Sequence, residues 1–205
     1  DGSDAMRWFL LSSPILRGGT MSVTEQGIRE GVRQVLLPMW NTYYFFTLYA
    51  NASNYEAKFN LESTDVLDRY LVAKTREMIA GVSADLNAFD TFGAAARLRD
   101  FADILTNWYV RRSRARFWDG DAAALSTLHH CLKTVTLLMA PMVPFITEHV
   151  WQKLIREVEP EEVLSVHLAD FPTVDTSAID LQLSKDVALT RRLVELGRAA
   201  RAQSQ

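Results

Sequence analysis

Little in this sequence is suited to covalent chemistry. Cys131 is the only cysteine among 205 residues, which excludes an internal disulfide and a cysteine-ligated zinc site. Such a chain fits a cytoplasmic compartment, and a buried structural thiol is the expected state of Cys131. Histidine is scarce as well. His129 and His130 are adjacent and diverge by about 100° on a helix, while His149 and His167 stand apart, so no metal-ligand spacing is present. No G-x-x-x-x-G-K or G-x-G-x-x-G loop is there to cradle phosphates, and no G-x-S-x-G elbow holds a nucleophile. Glu161 and Glu162 are neighbouring loop carboxylates, suited to solvation rather than to acid–base work. No apolar run approaches the roughly 20 residues of a membrane span, and no signal peptide opens the chain. The positive charge of an RNA-coating protein is missing too: the net charge is −3. Any nucleic-acid contact then has to be a local patch on an acidic body, with a salt dependence set by a few phosphates.

What the sequence has is helical periodicity. Hydrophobic residues make up 48% and charged residues 23%, enough for one or two globular units with a sizeable core. The chain opens at Asp1 without an initiator Met and enters an amphipathic pattern at once, so it reads as a piece cut from a larger protein. Ser3–Leu11 predicts a short helix capped by Ser3, followed by a Pro- and Gly-containing loop. Ser22 and Glu25 have capping-box spacing. The helix after them runs from about Val23 to Ala50 and should kink at Pro38. Its aromatic second half, Trp40 to Tyr49, carries apolar residues nearly all round and should be buried. After a polar loop, Ser63 or Thr64 is placed to cap a helix reaching about Ala88, and Asp90 to cap the next. Asp121 caps a helix to about Ala140. Pro144 opens another to about Val158, with Phe145, Ile146, Val150, Trp151 and Leu154 inward. The stretch 159–177 is irregular, with a short extended piece at Val163–Leu168. A last amphipathic helix spans Ser184–Ala200, carrying Val187, Leu189, Leu193, Val194 and Leu196. The expected fold is an all-α helical bundle, since short connections make long helices antiparallel neighbours.

One stretch concentrates cations and aromatics. Asn107–Trp118, NWYVRRSRARFW, sets Arg111, Arg112, Arg114 and Arg116 among Trp108, Tyr109, Phe117 and Trp118. Guanidinium groups present phosphate with a planar fork of donors, and aromatic rings give unstacked bases a platform. With about 3.6 residues per turn, the cluster falls on the last turns of a long helix starting at Thr91. Leu98, Phe101, Leu105 and Trp108 then share one face, and Arg112 and, less centrally, Arg116 fall with them. That predicts arginine stems laid over the core and paired with carboxylates. Asn107, Arg111, Arg114 and Trp118 fall on another side, beside Asp103, and are the candidates for nucleic acid. A solvated basic helix end, favoured by the helix dipole, is the other reading of the same residues. Arg191, Arg192, Arg198 and Arg201 form a looser basic run that the dipole alone accounts for.

The same segment resembles the anticodon-binding domain of class I aminoacyl-tRNA synthetases, in the isoleucyl family. Other pieces agree, in the family's order. DGSDAMRWFLLSSP resembles the helix following the KMSKS loop, with Asp4-Ala5-Met6 a conservative departure. ILRGGTMSVTEQGIREGVRQVLLPMWNTYYFFTLYANA, LDRYLVAKTREMI, LMAPMVPFITEHVWQKL and SVHLADFP resemble the segments that come after it, over about Asp1 to Leu196. The resemblance implies a parent that adenylates isoleucine using ATP and Mg2+ and transfers it to tRNA(Ile), with Zn2+ in forms that carry a zinc-binding tail. It also implies a separate editing insertion, because one methylene discriminates by only about 1–3 kcal/mol. The HIGH and KMSKS signatures are not in this sequence, so this stretch is expected to be non-catalytic. Its implied partners are tRNA(Ile) and the catalytic domain of the same parent chain, with no membrane. Residues 1–20 would end the helix and linker after the catalytic domain, 21–158 form the anticodon-binding bundle, and 159–205 a C-terminal loop and helix. On the family motif, Arg111, Arg114, Trp118, Phe117 and Asn107 are the candidate tRNA-binding residues. Arg112, Arg116 and Trp108 stay open between contact and structure. The alternatives are the same module of a valyl or leucyl enzyme and a helical interaction scaffold.

Overall fold

The computed structural model describes residues 2–56 and 63–203. Among them the regular structure is helical and no strand forms. The helices are α1 (Ser3–Leu11), α2 (Glu25–Gly31), α3 (Leu37–Ala52), α4 (Val66–Asn87), α5 (Thr91–Asp103), α6 (Arg114–Trp118), α7 (Ala122–Met139), α8 (Pro144–Val150) and α9 (Leu181–Gln203). Three continue through π-helical turns: Val32–Leu36 joins α2 to α3, Ile104–Val110 extends α5, and Trp151–Arg156 extends α8.

α7 is the central helix. Leu125, Leu128, Leu132, Val135 and Leu138 are all within 2% of full burial, each worth about 1.5–3 kcal/mol of transfer free energy. α4 lies along α5 and α7, α3 packs on α7, and α9 lies on α4. α1 clasps the turn between α7 and α8. Asp4 accepts from the backbone of Phe145 at 3.3 Å and Ile146 at 2.7 Å, so a carboxylate distant in sequence caps α8. Arg7 donates to the carbonyls of Met142 and Pro141. The segment 159–168 is tied down by Trp151 Nε1 to the Val163 carbonyl and by Glu148 accepting from Ser165 and Val166.

Several boundaries differ from the sequence expectation. Gly2, not Ser3, sits at the cap of α1. Thr24, not Ser22, caps α2, accepting from Gly27 N; Asp65, not Ser63 or Thr64, caps α4, accepting from Leu67 and Asp68. In both cases several capping residues crowd the helix start, and the one adjoining the first turn wins. Asp90 and Asp121 cap α5 and α7. At Pro38 the helix widens: Leu37 N bonds to the Val32 carbonyl, five residues back. A π turn accommodates the lost donor and the ring. The aromatic half of α3 is not buried all round, since Tyr44 is 63% and Leu48 54% exposed. Phe145 points outward rather than inward because it follows Pro144 in the first turn of α8. Val163–Leu168 forms no strand, and its end closes into a 3-10 turn at Val166–Leu168. α9 buries Val187, while Leu189, Leu193 and Leu196 face outward. The expected polar loop at 51–63 falls partly outside the described residues.

Candidate nucleic-acid interface

The basic-aromatic segment is not one helix. The π turn Ile104–Val110 runs into Arg111 and Arg112, the chain bends at Ser113, and α6 starts at Arg114. A π turn accommodates an extra residue and so rotates the downstream residues relative to an ideal wheel. The inward row runs Leu98, Ala102, Leu105, Tyr109, Ser113 and Phe117, all at most 2% exposed. An ideal wheel also passes through Tyr109 but continues through Arg112 and Arg116 instead of Ser113 and Phe117. The register slips by one residue, which turns Arg112 outward and leaves Phe117 inward, while Arg116 stays inward and Asn107, Arg111, Arg114 and Trp118 stay outward.

Phe117 takes the inner position. It is fully buried and packs edge-on against Phe45, with ring centroids 5.2 Å apart, and against Tyr109 at 6.1 Å. It is therefore no platform for a base. Arg116 is held by carboxylates, as expected of an inward arginine. It donates to both oxygens of Asp68 at 2.7 Å and to Asp121 at 2.8 Å, with Asp65 at 3.2 Å. Asp68 is completely buried and also accepts from Tyr109 Oη at 2.7 Å and Ser63 Oγ at 2.5 Å. Asp65 and Asp121 are the caps of α4 and α7, so one guanidinium ties α6 to two helix starts. Hydrogen bonding to Asp68 raises the Arg116 pKa further, against burial, so the cation is permanent. Burial alone would raise the Asp121 carboxyl, but Arg116 and the backbone N–H groups of Ala124 and Ala123 hold it below its ordinary value. Burial pushes Tyr109 well up, reinforced by the Asp68 charge, which keeps its hydroxyl a donor.

Arg112 departs from the ideal wheel. It is exposed, with no carboxylate partner among the described residues, and its guanidinium stacks 3.8 Å from the Trp108 ring centroid. Arg191 from α9 approaches the same ring at 5.6 Å. Trp108 is 9% exposed and packs with Tyr70 and Val187, which places it in the seam under α9. Asn107 is exposed, and its amide donates to Asp103 at 2.6 Å, a carboxylate shared with Arg191.

Three groups remain outward. Arg111 and Arg114 are exposed and form no ion pair among the described residues, and Trp118 is 78% exposed. They succeed one another at three and four residues. Asp119 is the one exposed carboxylate adjoining them in sequence. Two unengaged forked cations beside a bare indole can hold phosphate and stack a base. The sequence reading missed Asp68, the anchor of this segment. Its signal was an aspartate on the inner stripe of α4, three residues before Leu71, where a buried carboxylate demands a cation. Among the described residues no group of three or more His, Cys, Asp or Glu side chains gathers as a metal site, and no helix is long and apolar enough to cross a membrane.

Comparison with known proteins bears on this segment directly. The family model described as the anticodon-binding domain of tRNA ligase matches residues 68–205. Among curated proteins, the isoleucine--tRNA ligase of Leifsonia xyli subsp. xyli is 60% identical over 178 residues, 84% of this chain and 15% of that protein. That of Corynebacterium efficiens is 54% identical, over 89% of this chain and 17% of the relative. That of Streptomyces avermitilis is 49% identical, over 99% and 20%. The chain thus spans a fifth or less of the length of these relatives. Among solved structures, the ternary complex of Agrobacterium radiobacter K84 agnB2 LeuRS with tRNA and LeuAMS aligns with a TM-score of 0.57 at 19% identity, over 88% of this chain and 20% of that one; at that identity the likeness is one of fold. The family match covers more than half of the chain, from the buried Asp68 of α4 through the whole arginine segment, and the chain belongs to the family of anticodon-binding domains of tRNA ligases.

Proposed function

We propose that this chain is the tRNA anticodon-arm binding module of an isoleucine--tRNA ligase. The relatives that match over most of the chain carry that name. The parent would charge tRNA(Ile) with isoleucine, using ATP and Mg2+ at a catalytic domain outside this stretch, in the cytoplasm. This stretch would be non-catalytic: it grips the anticodon arm so that the distant acceptor end reaches that domain. Residues 1–20 then connect to the catalytic part, 21–158 form the binding bundle, and 159–205 are an extension laid against it.

The observation that carries the reading is the outward trio of Arg111, Arg114 and Trp118 on a segment anchored from behind by Arg116 and Asp68. A rigid support matters because a site is only as well placed as the residues that hold it. Anticodon bases are unstacked, so Trp118 can take one on its face while the two guanidinium groups hold flanking phosphates. Titrating the chain with tRNA(Ile), tRNA(Val) and tRNA(Leu) at low and moderate salt tests this. Salt-weakened binding that prefers tRNA(Ile) is expected. Equal, feeble binding to every polyanion would sink it in favour of a helical scaffold.

A further inference from the structure

α9 carries apolar residues on two opposite sides. At about 100° per residue, Leu183, Val187 and Val194 fall on one side with Ser184 and Arg191. That side is docked. Ser184 and Val187 are buried, Val187 packs with Tyr70 and Trp108, and Leu183 and Val194 are partly buried against them. Leu189, Leu193 and Leu196 line the other side and are 59%, 60% and 58% exposed. The helix is not free to roll and bury them. Arg191 on the docked side donates to Asp103 at 2.8 Å, and Asp180, just before the helix, accepts from Arg69 at 3.0 Å. A surface helix needs one apolar stripe; a second stripe opposite the first belongs to a helix covered on both sides.

The charges along the bare row say what would cover it. Lys185 and Arg192 flank it on one edge, exposed and without an ion pair among the described residues. On the other edge Asp186 already accepts from Gln182 at 2.9 Å. Two unpaired cations beside leucines match an apolar stripe edged with carboxylates. RNA is a poorer fit, since a leucine side chain has no planar face for a base to stack on.

Area decides between a separate molecule and a tethered one. Three leucines fall far short of the roughly 1,200–2,000 Å² that a free-standing interface buries, which disfavours a second copy. A covalent tether removes that demand, because it supplies an effective concentration on the order of millimolar. The chain spans a fifth or less of the length of its relatives, so a parent of that length has segments to spare. We infer that the outer face of α9 is an interface within the parent, covered by an amphipathic segment from outside this stretch whose apolar stripe is edged by Asp or Glu. This rests on the ligase reading above and adds a contact that involves no RNA.

The test places a thiol at the centre of the row. Leu193→Cys is made in this chain and in the full-length parent, and maleimide labelling at that position is followed by mass spectrometry in each. Cys131 is buried and does not compete. Labelling should be about tenfold slower in the parent, as for a side chain reached only by local opening. Lys185→Glu with Arg192→Glu should shrink that ratio about two- to fivefold, the size of exposed charge pairs. Leu193→Lys should lower the melting temperature of the parent and leave that of this chain unchanged. Equal labelling in the two proteins overturns the interface. Protection that appears in this chain alone and grows with its concentration assigns the face to a second copy and overturns it as well. A ratio that ignores the charge reversal overturns the acidic-edged occupant. A parent that fails to charge tRNA(Ile) overturns the ligase reading, whatever the labelling shows.

Discussion

Arg114 and Arg116 are two residues apart and do opposite things. Arg116 turns inward to a fully buried carboxylate and is held by Asp68, Asp121 and Asp65; Arg114 faces solvent with no ion pair among the described residues. The difference lies in their surroundings, not in the residue type. A guanidinium beside two helix caps and a desolvated aspartate is structural, and one on an open ridge is free for a ligand. A basic cluster read only as a sum of charges would merge the two.

The widest separation should come from the inward side. Arg116→Met leaves Asp68 buried and uncompensated, and breaking such a pair costs about 3–5 kcal/mol. Urea unfolding should show that loss, and Asp68→Asn added to Arg116→Met should recover part of it. A change below about 1 kcal/mol, the size of an exposed ion pair, would erase the distinction drawn between the two arginines. The same pair sets an acid dependence. The Asp121 carboxyl is held below its ordinary value in the fold, so its contribution is complete above the unfolded value of about 4 and is lost as pH falls through the lower folded one. Arg116→Met should flatten that acid limb.

On the outward side the effects move to binding. Trp118→Ala should leave the melting temperature nearly unchanged, since the ring is 78% exposed. It should cost about 1–3 kcal/mol of tRNA affinity if a base stacks there. Arg111→Ala with Arg114→Ala comes next. Every phosphate that the double variant no longer neutralises should lower the slope of log K against log salt by about 0.7 for single-stranded RNA, with little effect on melting. If the double variant melts early and binds normally, inward and outward have been exchanged.

How much of this is legible in the sequence depends on range. The long helices, the Asp90 and Asp121 caps and the inward pairing of Arg116 come from local pattern. So do the outward placements of Arg111, Arg114 and Trp118. Phe117 and Arg112 do not: past the π turn Ile104–Val110 and the bend at Ser113, Ser113 and Phe117 hold the inner positions and Arg112 is exposed. Nothing in the spacing of apolar residues marks a π turn before the bend at Ser113 is seen; Ser113 then takes the inner position in place of Arg112, and Phe117 is buried as well as the inward Arg116. The anchoring role of Asp68 is hidden for another reason. It joins residues far apart in the chain, and a single-helix wheel carries no information about which helix lies opposite.

The smallest expected effect is the one that measures the register slip. With the ideal wheel, Arg112 would lie on the core face with a buried partner, and Arg112→Ala would cost about 3–5 kcal/mol. In the fold it is an exposed guanidinium stacked 3.8 Å over Trp108, a contact worth about 0.5–1 kcal/mol at such a site. Trp108 would keep Arg191 at 5.6 Å on removal of Arg112, so the seam under α9 should hold. Arg112→Ala is therefore expected to shift urea unfolding by no more than about 1 kcal/mol, well short of Arg116→Met measured in the same way. Equal losses at the two positions would mean that the π turn does not rotate the segment, and Arg112 would return to the inward row.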